Sequence, residues 1–381
     1  ERYGDAVHVA GRYWGNLADG GERITLNDPT GTPILDFSFN DGWYQVTDGE
    51  GFSLTATNES ESDPLVWSKK RAWRPGSVVH GTPGAADNHV LPAPTALIIN
   101  EVLAHSDGGS PDWVELYNAS ASAIDLSGWY LSDSGGNLLK YEIPASTVIN
   151  PGAYLVFYED TSFGSAFALS ENGETIYLSS ASGGILTGFN IEEDFGASDT
   201  DVSFGNYYKA STDTYNFVPM SANTPGLPNA APLVGPIVIS EIFYNPQPAP
   251  AGDPDAEYIE LLNVSADAVA LQDGTTLETW SMTDGIDFEF PAGTVIPAGG
   301  RLILTRNLLA FAAQFPGVLV PVFQWDDGAL DNGGERVQIG KPGDVDGFGR
   351  RQYIRVDRVN YDDVAPWPTT PDGTGDALHR I

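Results

Sequence analysis

The chain repeats itself, and that repeat constrains the fold more than any single residue does. The stretch LIINEVLAHSDGGSPDWVELYN (residues 97–118) is answered by IVISEIFYNPQPAPAGDPDAEYIELLN (residues 237–263). Further on, IPASTVINPGAYLVF (143–157) is answered by FPAGTVIPAGGRLIL (290–304), so the copies stay in phase at an offset of about 140 to 147 residues. Within the first full copy, the alternation in LIINEVL, DWVELYN, GWYLSD, AYLVFYE and ETIYLSS places apolar side chains on one face at period two, which is the pattern of sandwich strands. The second copy keeps the order with IVISEIF, EYIELLN, TWSMTD, RLILTR and ERVQIG, and Trp129 and Trp280 each stand four residues before an Asp.

Two TPG-containing stretches, GTPGAADN (81–88) and NTPGLPN (223–229), each precede a Pro- and Ala-rich run without periodicity that reads as a short, semi-stiff linker. They divide the chain into units at residues 1–92, 93–232 and 233–381. The first unit matches only the later half of the plan. NLADGGERITL (16–26) corresponds to ALDNGGERVQI (329–339), and WYQVTDGEGFSL (43–54) to WPTTPDGTGDAL (367–378). The third unit stops before a closing TPG element. A unit short of strands would expose a sheet edge, which another copy of the chain could complete as a propagating, filament-like contact. The alternative is a fragment of a longer protein.

With 381 residues, 41% of them hydrophobic, the chain can bury two or three cores. Its 43 Gly and 27 Pro favour short strands joined by turns, and only RNLLAFAAQF (306–315) has helical periodicity. A net charge of −34 opposes nucleic acid, whose binding needs Lys and Arg on phosphates. The absence of cysteine excludes disulfides and thiolate metal sites, and no apolar run is long enough to span a bilayer. Glu1 does not open a signal peptide, so an export signal would have been removed beforehand.

The ordered series INEV, DWVELYN, LSGWYLSD, IPASTVINPGAYLVF, NGE, W…DG.G.SL and GTPG…N resembles the lamin tail domain in its bacterial secreted form. The resemblance implies an all-β chain of tandem immunoglobulin-like β-sandwich domains without catalytic residues. It further implies a non-catalytic structural or adhesive protein, extracellular or at the bacterial cell surface, that works through contacts with its own copies or neighbouring domains. The alternative is an accessory module that carries a larger secreted enzyme to carbohydrate or a surface. The third unit departs from the family in AEYIELLN and in the insertion KPGDVDGFGRRQ (341–352).

Few residues suggest chemistry. Glu101 and Glu241 occupy equivalent points of one strand, as Glu115 and Glu260 do of the next. Paired carboxylates can cleave glycosides across a cleft, but strand glutamates more often accept backbone N–H bonds or blunt an edge. The loops carrying Asp253, Asp255 and Glu257, and Asp344 and Asp346, space oxygen ligands as calcium requires, although neither completes an EF-hand and both also read as plain Asp/Gly turns. Trp113 and Trp73 could stack on sugars, with packing the more economical reading. His8, His80, His89, His105 and His379 lack metal-ligand spacing, and no HExxH, GxSxG, Walker or dinucleotide-binding motif occurs. Asn58, Asn118 and Asn263 lie in N-x-S sequons, two of which recur because the repeat recurs.

Overall fold

A computed structural model describes residues 11, 13–87, 91–106, 109–210, 214–249 and 251–381; His8 and His89 lie outside them. The central repeat is a sandwich of two antiparallel sheets. One runs in the order Tyr154–Tyr158, Trp113–Asn118, Leu97–Leu103, Phe204–Lys209, Thr214–Pro219. The other runs Ile185–Gly196, Gly173–Ser182, Tyr130–Ser132, Tyr141–Glu142. Alternation explains the core they share: Leu97, Ile99, Val114 and Leu116 from the first sheet meet Leu131, Ile176, Leu178 and Phe189 from the second. Trp129 packs within it, tilted against Phe189 at 5.1 Å.

The third repeat reproduces most of this layout, with the two-residue strand Leu378–His379 standing where the central repeat has the closing hairpin Phe204–Lys209 and Thr214–Pro219. Its larger sheet runs Val322–Gln324, Arg301–Thr305, Tyr258–Asn263, Ile237–Phe243, Leu378–His379. The opposing sheet is Phe288–Glu289, Ser281–Asp284, Arg336–Val345, Arg351–Asn360. Even a defect is shared, since both central hairpins shift register at equivalent points, between Ile99 and Glu101 and between Ile239 and Glu241. One difference is the helix Leu308–Gln314, where the sequence expects one. Asn307 caps it, its side-chain oxygen accepting from the Leu309 and Ala310 N–H groups. The helix returns the chain as Val322–Gln324, parallel to Arg301–Thr305. The stretch 341–352 is not an added element: it forms the end of the long hairpin Arg336–Val345 with Arg351–Asn360, whose counterpart in the central repeat is Gly173–Ser182 with Ile185–Gly196.

The first unit comprises two small ribbons, Arg23–Asn27 with Pro33–Ser38 and Leu54–Ala56 with Trp73–Pro75. Two-stranded ribbons have too little apolar surface to stand alone. This unit leans on its neighbour: its buried Val46 and Phe52 cluster with Leu138, Tyr177 and Leu186 of the central repeat. The backbones also touch. Gly188 has φ +98°, and a Cβ there would lie 2.2 Å from the Gly76 carbonyl oxygen, so only glycine fits.

The central and third repeats each also contain a fully buried asparagine at matching positions. Asn118 Nδ2 donates to the Ser122 and Ile149 carbonyls while its Oδ1 accepts from the Ser120 N–H and hydroxyl. Asn263 does the same with Asp267, Ile296 and Ser265. These sequon asparagines are therefore structural pins that fix a loop to the sheet. Replacing Asn118 with Ala strands several buried polar groups and should cost about 3 kcal/mol in chemical denaturation. Asn58→Ala, in an exposed turn, should cost less than about 1 kcal/mol.

Candidate functional site

Glu101 and Glu115 are cross-strand neighbours in the larger sheet of the central repeat, and both are fully buried. Burying two carboxylates side by side is costly unless each is hydrogen-bonded. The TPG stretch that follows the last strand supplies the bonds. Glu101 accepts from the Ser203 hydroxyl at 2.5 Å, from the Thr224 hydroxyl at 2.6 Å and from the Thr224 N–H at 3.1 Å. Glu115 accepts from the Gly226 N–H and, at 2.7 Å, from the Asn100 side chain. Asn229 completes the arrangement by accepting from Asn100 and donating to the carbonyls of Asn100 and Asn206. The TPG stretch, which the sequence marks only as a boundary, is thus a clasp closed over two carboxylates. This accounts for Leu97–Leu103 being buried along nearly its whole length, where alternation alone would leave one face wet.

Burial, together with the neighbouring Glu101, pushes the Glu115 carboxyl up to about 7, against the pull of Gly226 and Asn100. A raised carboxyl of this kind resembles a general acid, but the clasp shuts both side chains off from solvent. No substrate can reach them.

The equivalent pair in the third repeat, Glu241 and Glu260, keeps the register and finds other partners. Glu241 accepts from the Tyr258 hydroxyl and lies 3.5 Å from His379 Nε2. Glu260 accepts from Arg301 Nε at 2.8 Å and the Ser240 hydroxyl at 2.7 Å. One side-chain pair therefore has two solutions, a clasp of main-chain N–H groups, hydroxyls and an amide in the central repeat and side chains alone in the third.

The calcium candidates separate. Glu257 accepts from Arg306 at 2.8 Å and from the Leu330 N–H at 2.9 Å, which commits its carboxylate to the fold. Asp253 accepts from the Asp255 N–H and forms a turn. Asp346 accepts from the Phe348 and Arg350 N–H groups and from Gln352, shaping the tip of the long hairpin. Among the described residues, neither loop gathers three metal-type side chains. Asp344 is drawn instead towards His105 and Glu171 of the central repeat, a meeting that residues so far apart in sequence give no hint of. Trp113 is buried in the central repeat. Trp73 donates Nε1–H to the Trp67 carbonyl at 2.7 Å and stacks on Phe37, so both are packing residues.

Both junctions between units are built from side chains. Beside the apolar cluster at the first, Lys70 faces Glu192 and Glu193 and sits 5.0 Å over the Tyr44 ring. At the second, Lys341 of the long hairpin donates to Asp199 of the central repeat at 2.6 Å.

Burial also raises the Glu174 and Glu193 carboxyls to about 7. A carboxyl raised on folding binds more protons in the folded state than in the unfolded chain, between its ordinary value near 4.5 and about 7. Its stabilising contribution is complete below that window and is lost as pH rises through it. Denaturant unfolding of the whole chain should therefore show stability falling from about pH 5 to about pH 8. Glu115→Gln should flatten that slope. Glu101→Ala, which strands the Ser203 and Thr224 donors, should cost about 3 kcal/mol.

No curated protein matches the chain. Among solved structures, a DUF4876 family protein from Bacteroides thetaiotaomicron is 11% identical and aligns over 65% of this chain and 76% of its own, at a TM-score of 0.24, an overlap too loose to define a shared fold. A family model for the lamin tail domain matches residues 91–192. That span opens with the strand carrying Glu101 and ends within the long strand after Gly184. Within the central repeat, residues 91–192 are thus similar to the lamin tail domain, an immunoglobulin-like β-sandwich.

Proposed function

We propose that this chain is a non-catalytic structural or adhesive array, exported to the bacterial cell surface, in which lamin-tail-type sandwiches act as rigid spacers. It would hold its partners, further copies of itself or neighbouring domains of a larger protein, through side-to-side contacts. The observation that carries the reading is direct apolar packing at the first junction, Val46 and Phe52 against Leu138 and Leu186, with the Lys341–Asp199 ion pair joining the units at the second. Units that only needed tethering would leave the first surface polar and wet. The most suggestive carboxylates, Glu101 and Glu115, are consumed by the fold, in keeping with a protein that does no chemistry. The charge of −34 suits solubility outside the cell and argues against nucleic-acid partners. No helix among the described residues is long and apolar enough to cross a membrane.

A second reading rests on one hairpin. Tyr208 and Tyr215 face each other across Phe204–Lys209 and Thr214–Pro219 with ring centroids 5.1 Å apart, and they are 46% and 62% exposed. An exposed ring pair is a stacking platform for sugar, as an accessory carbohydrate-binding module would need. Retention on insoluble polysaccharide that is lost in Tyr215→Ala would favour this reading.

Small-angle X-ray scattering of the whole chain tests the array. The wild type should scatter as one rigid particle. Gly188→Val, which drives a side chain into Gly76, should lengthen and broaden the distance distribution while leaving the circular dichroism of the sandwiches unchanged. A wild type that scatters as independent beads on a string would overturn the proposal.

A further inference from the structure

We propose that His105, Glu171 and Asp344 form a binding site for a divalent transition metal of the zinc class, which ties the long hairpin of the third repeat to the central repeat. His105 follows the first strand of the central repeat, Glu171 precedes its Gly173–Ser182 strand, and Asp344 lies on the hairpin arm Arg336–Val345. One ligand atom from each lies within 4.8 Å of the others. Tetrahedral zinc with bonds near 2.1 Å needs ligand atoms about 3.4 Å apart, and Glu171 Oε2 already stands 3.7 Å from His105 Nε2. Both carboxylates are exposed, so the remaining closure takes only side-chain rotation.

Three observations beyond the spacing of the triad support a ligand. His105 Nδ1 lies 2.9 Å from the Ser198 carbonyl, the outer contact that fixes a metal-binding imidazole and turns its Nε2 towards Glu171. The surrounding loop is fastened to this histidine as well: the Asp201 N–H donates to the His105 carbonyl at 2.7 Å, and the Thr200 hydroxyl sits 3.2 Å from Nε2. Secondly, among the described residues neither Glu171 nor Asp344 pairs with Lys or Arg, whereas the adjacent Asp199 is neutralised by Lys341. Two facing carboxylates without a cation repel each other in an already acidic protein. Thirdly, the site borders a polar cavity of about 310 Å3 lined by His105, Ser106, Asp112, Glu171 and Asn172. It has room for water to complete the coordination shell, and the Asn172 side-chain oxygen at its wall is buried without a partner.

The donor set selects the metal. An imidazole with two carboxylates suits zinc or a neighbouring first-row ion, while calcium takes oxygen ligands almost exclusively. The site therefore differs in chemistry from a calcium loop, although Asp344 would serve in either.

The inference deepens the proposed rigid array by adding a second fastening beside the Lys341–Asp199 pair. Isothermal titration calorimetry of the chelator-treated whole chain with zinc chloride should give one saturable site, with calcium chloride at least tenfold weaker. Asp344→Asn, at an exposed position, should weaken zinc binding at least tenfold, and His105→Ala should do the same. The double substitution Asp253→Asn, Asp255→Asn in the other acidic loop should leave affinity unchanged. Zinc should also slow amide exchange in residues 341–352 of the wild type and leave it unaltered in Asp344→Asn. Absence of saturable zinc binding, or binding that survives both Asp344→Asn and His105→Ala, would overturn the site. Scattering without metal reads the array separately, so a flexible chain that still binds one zinc would refute the array and leave the site standing.

Discussion

Two carboxylates buried on adjacent strands set the terms for the rest of the central repeat. Glu101 and Glu115 could not stay in the larger sheet without donors, and the donors come from a stretch more than a hundred residues later. The sandwich is therefore closed by a long-range polar contact as much as by its apolar core. The Thr224 hydroxyl, two main-chain N–H groups and Asn229 must all be in place before the outer face of Leu97–Leu103 is dry. Because an unmet buried carboxylate costs far more than a met one gains, the clasp specifies one register and one path for the chain's return. The third repeat meets the same constraint with Tyr258, Ser240 and Arg301, so the glutamate pair is a fixed feature of the design and its partners are variable.

Much of this fold could be read from the sequence because its cause is local. Period-two alternation marked the sandwich strands, and repetition at a fixed offset showed that two units share one plan. Asn118 and Asn263 recurred for the reason the structure gives, four matching hydrogen bonds around each. The helix at Leu308–Gln314 followed from a single apolar stretch.

What escaped the sequence was whatever depends on meetings between distant segments. The stretch NTPGLPN reads only as punctuation before a linker, because Pro and Gly interrupt the strand pattern there. Its role as a clasp becomes visible only when Thr224 and Gly226 are set against Glu101 and Glu115. The acidic loops suggested calcium by local spacing, yet Glu257 is held by Arg306 and Asp344 faces His105 across a junction. Neither partner is near in sequence. The apolar contact of Val46 and Phe52 with Leu138 likewise reads, in sequence, as ordinary core in two separate units.

The short strand Val322–Gln324 gives the third repeat a different border from its neighbour. In the central repeat the larger sheet ends on Tyr154–Tyr158, five residues hydrogen-bonded along one side only. In the third repeat the equivalent strand, Arg301–Thr305, is covered by three residues that pair in parallel and follow Pro321. A three-residue rim offers an incoming chain few free N–H and C=O groups in line. Lateral growth of the sheet is blunted at that border, which leaves the two repeats unequal as templates for a visiting strand: among the described residues the central one has no strand beyond Tyr154–Tyr158, and the third carries its own stopper.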